Sequence, residues 1–140
     1  MKSFLGLLFA FSLTTAAVAQ GTDWELYSTV DGVEIYTKES DCYAKNIPAQ
    51  KAVIIKVVNT TNSKVKVEWD QVIWYNDKQV TKHVEEGENH FSVEVEKNDS
   101  QEGTCDTPYG PYYIYKDFIT YDTDVKLSKF ELQNIKITKI

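Results

Sequence analysis

The sequence contains no arginine, and its 140 residues include only two cysteines, two histidines, three prolines and one methionine. Each scarcity excludes something. With no guanidinium forks, and 15 lysines against 21 Asp and Glu, the chain carries a net charge of −6. It is poorly matched to nucleic acid and to anionic membrane surfaces, both of which recruit cationic side chains. Two lone cysteines lack the CxxC spacing that a zinc site usually shows. No HExxH motif or nucleophile elbow is present, so the sequence implies no cofactor and no catalytic role. Long hydrophobic runs are missing too. The apolar stretch Phe4 to Leu13 spans about ten residues, against the roughly 20 that cross a bilayer, so no membrane span is expected.

That short stretch fits a different purpose. Lys2, the apolar run, and then Ala17-Val18-Ala19 have the three-part form of a secretory signal cut after Ala19. Residues 1–19 are therefore expected to be a signal peptide and residues 20–140 a single domain, secreted or periplasmic. Gln20 stands where a bacterial lipoprotein would need cysteine. Cleavage removes Lys2 and no acidic residue, leaving 14 Lys against 21 Asp and Glu and a net charge of −7. The remaining length suffices for one core but not two. In an oxidising compartment Cys42 and Cys105 are expected to pair. Closing a loop of about 64 residues stabilises by about 4 kcal/mol in the chain-entropy account.

From Trp24 onward the chain reads in period two, with turn residues between runs rich in Val, Ile, Tyr, Trp and Thr. Trp24 to Thr29 and Val33 to Asp41 flank Asp31-Gly32, a type I′ hairpin signal. Lys51 to Asn59 has Val53, Ile55 and Val57 on one face and Ile54 and Val58 on the other, which predicts cover on both sides. Val65, Val67 and Trp69 alternate with Lys66, Glu68 and Asp70, so one face is buried and one is wet. Asn76-Asp77 predicts a turn into a strand from Lys78 to Val84. Phe91, Val93 and Val95 form the inward face of the next strand. Tyr112 to Thr120 and Phe130 to Ile140 follow. In the last run Phe130 and Leu132 are out of phase with Ile135 and Ile137, which a β-bulge near Asn134 would reconcile. Turns roughly every 8 to 12 residues predict about eight or nine short strands in an all-β, antiparallel two-sheet β-sandwich.

The stretches Val57-Val58-Asn59-Thr60-Thr61, Val65 to Asp70 and Trp74-Tyr75 resemble small exported bacterial proteins of immunoglobulin-like build. The ending Leu127 to Ile135 is similar to theirs as well. The resemblance implies an immunoglobulin-like fold and an exported address, and no activity. Cys42 precedes the Lys51 strand instead of lying within it, so an intersheet disulfide of the antibody kind is not expected.

The candidate ligand-binding aromatics are Trp74, Tyr109, Tyr112, Tyr113 and Tyr115; with Tyr121, five of the nine tyrosines fall between residues 109 and 121. An aromatic platform with polar tips is what stacking on a sugar or gripping a protein requires. By alternation, about half of these tyrosines must instead point into the core. His83 and His90 are candidate metal ligands, because opposed residues across a hairpin bring Cβ atoms to about 5 Å. Two hydrated histidines beside an acidic turn are the simpler explanation. Asp117, Asp122 and Asp124 form a possible calcium cluster without EF-hand spacing. Glu68 and Asp70 share a strand face about 7 Å apart, a spacing also found in inverting glycosidases, although any wet strand face shows such charges. The sequence thus favours a non-catalytic binding or accessory module for an envelope or extracellular protein. Carbohydrate binding through Tyr and Trp, and metal binding through the histidines, are the alternatives.

Overall fold

The structure, a computed structural model, describes residues 23–81 and 89–140. The signal segment, His83 and the turn Glu85 to Glu88 lie outside these residues. Among the described residues the architecture is all-β: nine strands in two antiparallel sheets, consistent with a two-sheet β-sandwich. In the first sheet β1 (Glu25–Val30), β2 (Val33–Cys42) and β3 (Gln50–Asn59) lie side by side. Because β2 runs the length of β3, the other edge of β3 is shared end to end by β7 (Ser100–Glu102) and β8 (Tyr113–Phe118). The second sheet is built on β4 (Val65–Tyr75) in the same way. There β9 (Leu127–Lys139) covers one edge, while β5 (Lys78–Gln79) and β6 (His90–Val95) share the other.

The turns behave as their residues dictate. Asp31 (φ 48°) and Gly32 (φ 77°) join β1 to β2, and Asn76 (φ 50°) and Asp77 (φ 63°) join β4 to β5. Both pairs adopt the left-handed values a type I′ turn needs. The predicted bulge is present: Asn134 has φ 53°, and the β4–β9 register shifts between Glu68 and Asp70, where Asn134 and Ile135 oppose Trp69. One strand is shorter than its pattern predicts. The run expected from Lys78 to Val84 pairs as a strand only at Lys78 and Gln79 among the described residues, while β6 takes the Val65–Asp70 stretch of the same β4 edge.

Val33, Ile35, Val53, Ile55, Val57 and Ile114 of the first sheet pack against Val65, Val67, Trp69, Val95 and Leu132 of the second. Burying each such side chain contributes about 1.5–3 kcal/mol before the entropy of ordering is set against it. As its sequence predicts, β3 is covered twice. Its outer face buries Ala52 and Ile54 against Cys42, Tyr113, Trp24 and Cys105. The Cys42–Cys105 disulfide is formed and belongs to this outer cluster, outside the sandwich interior. No described helix is long and apolar enough to cross a membrane.

Candidate functional site

The two cysteines occupy particular places. Cys42 ends β2 and opens the loop 43–49; Cys105 opens the loop that leads to β8. The disulfide therefore ties together two loops at one end of the sandwich. Between them, β3, β8, β4 and β6 leave a cleft of about 820 Å³. Ile47 and Pro48 come from the first loop, and Tyr109 and Gly110 from the second. Gln50, Gln71, Tyr75 and Phe91 come from the strands, and Thr123 and Val125 from the segment before β9.

Tyrosines dominate the walls. Tyr115 lies between two aromatic neighbours, its ring 6.0 Å from Tyr75 and 5.1 Å from Phe118. Phe118 meets Tyr121 edge-on at 5.9 Å. The Tyr75 hydroxyl donates to the Tyr115 carbonyl oxygen at 2.8 Å, holding the two sheets together beside the cleft. Gln71 is a second tie: its side-chain amide donates to the Pro111 carbonyl at 2.8 Å, and its backbone N–H to the Asn89 carbonyl at 2.9 Å. Burial pushes the Tyr75 phenol up to about 12, helped by Tyr115, and the Tyr113 phenol up to about 12, helped by Tyr109 and Tyr115. Both are neutral donors at any physiological pH.

Gln50 of the lining is only 4% exposed. Two polar groups there stand out because nothing described satisfies them. The hydroxyls of Tyr113 and Tyr115 are buried without a partner. Buried polar groups in folded proteins are paired in the great majority, and the other unpaired atoms among the described residues are Trp69 Nε1 and Asp117 Oδ1, outside the lining. No Lys, Asp, Glu or His is present among the described lining residues, although 26% of the chain is charged.

The five aromatics singled out from the sequence divide between sites. Tyr109, Tyr113 and Tyr115 line the cleft. Tyr112 turns into the sandwich, its ring 6.3 Å from Trp69 and its hydroxyl donating to Gln101 Oε1 at 2.7 Å. Trp74 is not part of the cleft lining; Lys129 Nζ sits over its ring at 4.7 Å. Gln50, Tyr75 and Phe118 escape sequence reasoning. Gln50 reads as an ordinary strand terminus, and nothing local signals that its side chain is buried.

The histidine candidates fare differently. His83 lies outside the described residues, and the cross-strand partner of His90 on β4 is Asp70. His90 Nδ1 is 2.8 Å from Asp70 Oδ1 and Nε2 is 3.3 Å from Glu68 Oε1. Asn134 donates to the other Asp70 oxygen at 2.8 Å. The bond to Asp70 leads the causes that raise the His90 pKa. Asp70 is held down first by Asn134, and Glu68 first by His90. The two carboxylates thus flank the His90 ring and favour its charged form. No group of three His, Cys, Asp or Glu among the described residues has the geometry of a metal centre. Of the aspartates proposed for calcium, Asp117 lies 3.7 Å from Lys126 Nζ, and Asp122 and Asp124 are exposed.

Fold and site together define a disulfide-tied β-sandwich with a tyrosine-lined cleft at one end. No family model matches the chain, and no curated protein or solved structure matches it significantly.

Proposed function

We propose that this protein is an exported, non-catalytic binding module of immunoglobulin-like build, and that its binding surface is the tyrosine cleft. The observation that carries this reading is the convergence of Tyr75, Tyr109, Tyr113, Tyr115 and Phe118 on one concave site with unbonded polar groups in its wall. Concave, mostly apolar sites with a few placed polar groups are the usual form of a ligand pocket, and about 820 Å³ falls within their range of 300–1,000 Å³. The disulfide supports export, because such bonds persist in oxidising compartments.

Docking a protein along a strand edge fits the geometry less well. The outer edge of β9 carries a bulge at Asn134 and the lysines 129, 136 and 139, and β1 is bulged between Leu26 and Ser28. Bulges and edge lysines are the devices that prevent strand addition.

The test is native mass spectrometry of oxidised residues 20–140 after incubation with envelope and medium extracts of the source organism. A bound species should be retained by the parent and by Trp74→Ala. It should be lost in Tyr109→Asp and Val125→Asp, which place charge on the cleft wall. A species retained equally by all four proteins would sink the cleft as the site. The exported protein should also begin at Gln20, and a start at Met1 would defeat the export reading.

A further inference from the structure

We propose that Asn98 is an acceptor for N-linked glycosylation in the exported protein, with an oligosaccharide joined to its side-chain amide nitrogen. This rests on the export reading above, and goes beyond it by assigning a modification site that lies away from the cleft.

The chain contains two Asn-x-Ser/Thr sequons, Asn59-Thr60-Thr61 and Asn98-Asp99-Ser100. A sequon becomes an acceptor only on accessible chain in a secretory route. The fold brings both to one end of the sandwich, where Asn59, Thr60, Asn98, Asp99 and Ser100 line a shallow hollow. The two therefore share a compartment and a direction of approach, and differ in access. Asn59 is fully buried, and its Nδ2 reaches the carbonyl oxygens of Ser63, Val95 and Glu96. Freeing it would strand those carbonyls. Asn98 sits in the turn between β6 and β7, and every residue from Glu96 to Glu102 is exposed.

The turn is also easily presented. Asn98 has φ 52°, a left-handed value that asparagine tolerates. β7 is three residues long and pairs with Lys56, Val57 and Val58. Drawing the sequon into a transferase therefore uncovers no buried residue of that segment, and such local opening is inexpensive. Glu96 stands two positions before Asn98, giving the acidic Glu-x-Asn-x-Ser form that bacterial-type transferases select; Asn59 has Val57 at that position. The donor class is an oligosaccharide linked to a lipid diphosphate. Asn98 Nδ2 bonds to the anomeric carbon and the bond from that carbon to the diphosphate oxygen breaks. The lipid diphosphate leaves with the electron pair, and one amide proton is released. β6 starts beside the cleft, where Asn89 and Phe91 line it, and runs away from it to this turn. The glycan thus projects from the opposite end and leaves the cleft mouth open.

Peptide mapping by mass spectrometry, on the protein recovered from the source organism's envelope and medium, tests this. The peptide containing Asn98 is expected to carry added sugar mass, and the peptide containing Asn59 none. Ser100→Ala removes the hydroxyl the sequon requires and leaves Asn98 and its turn in place. It should abolish the added mass with an unchanged melting temperature, whereas Ser100→Thr should keep it. An exported chain that begins at Gln20 with a bare Asn98 overturns the site while export stands. Added mass that survives Ser100→Ala overturns it as well. If the chain is recovered only inside the cell with Met1 in place, export fails and transfer in vitro decides the site. Oxidised residues 20–140 are then incubated with a bacterial-type oligosaccharyltransferase and its lipid-linked donor. Transfer to Asn98 upholds the site; no transfer, or transfer to Asn59, overturns it.

Discussion

Strand β3 begins and ends on a buried amide side chain, and the two ends are treated in opposite ways. At its C-terminal end Asn59 is 0% exposed and fully engaged. Its amide nitrogen reaches the carbonyl oxygens of Ser63, Glu96 and Val95 at 2.8, 3.1 and 3.2 Å. Its oxygen accepts from the Thr61 N–H and hydroxyl at 3.0 and 2.7 Å. At the N-terminal end Gln50 is almost as buried and lines the tyrosine cleft. The same chemical group thus closes one end of the sandwich and forms part of the open wall at the other.

Four measurements would break or sharpen this contrast. The largest effect should come from removing the disulfide with Cys42→Ser and Cys105→Ser together, at about 4 kcal/mol by denaturant unfolding. Amide exchange in that variant should accelerate in loops 43–49 and 106–111 before it does around Asn59; uniform acceleration would mean that the disulfide does not hold the cleft end in particular. Asn59→Ala follows at about 3 kcal/mol, since several buried bonds at about 1 kcal/mol each are lost and backbone carbonyls are stranded. A change under about 1 kcal/mol would erase the structural half of the contrast. For the same reason Asn59, although it begins an Asn-Thr-Thr sequon, should carry no glycan in the folded protein.

A smaller effect belongs to the cluster on the solvent face of the second sheet. The His90 pKa lies above its ordinary 6.5, so its contribution is fully present below that pH and is lost as pH rises through the higher native value. Glu68 and Asp70 lie below their ordinary 4.5 and 3.8, so theirs is present above those values and is lost on acidification. The melting temperature should fall modestly as pH rises above the ordinary histidine value of 6.5, and His90→Ala should flatten that limb. An unchanged slope would mean that His90 is not coupled to the carboxylates in solution. The smallest effect should come from Gln50→Leu, within about 0.5 kcal/mol of the parent, because Leu fills a similar volume in the cleft wall and leaves the sandwich core untouched. A loss comparable to that of Asn59→Ala would show that Gln50 is also structural.

Much of the fold was legible because it depends on neighbours in the chain. Val65, Val67 and Trp69 announce their shared face by alternation, and all three are fully or almost fully buried. The phase break before Ile135 predicts the bulge that Asn134 forms. The strand expected from Lys78 to Val84 pairs only at Lys78 and Gln79 among the described residues, and nothing in its own residues announces that β6 takes Val65–Asp70 of the same β4 edge. The site was legible only in part. Tyrosine density marks the segment 109–121, and alternation predicts that some of it turns inward, as Tyr112 does. Nothing local says that Tyr109 and Tyr115 will share a cleft with Tyr75 and Gln50, or that His90 will be held between Glu68 and Asp70.

By itself the sequence determined the all-β architecture, the turns, the double cover of β3 and the identity of the disulfide. Period-two alternation and left-handed turn residues act over a few positions, and two cysteines admit one intramolecular pairing. The tertiary structure decided where the cleft lies, which aromatics enter it and which buried amide lines it. A cleft is space that several distant elements fail to fill, so no window of the sequence contains it.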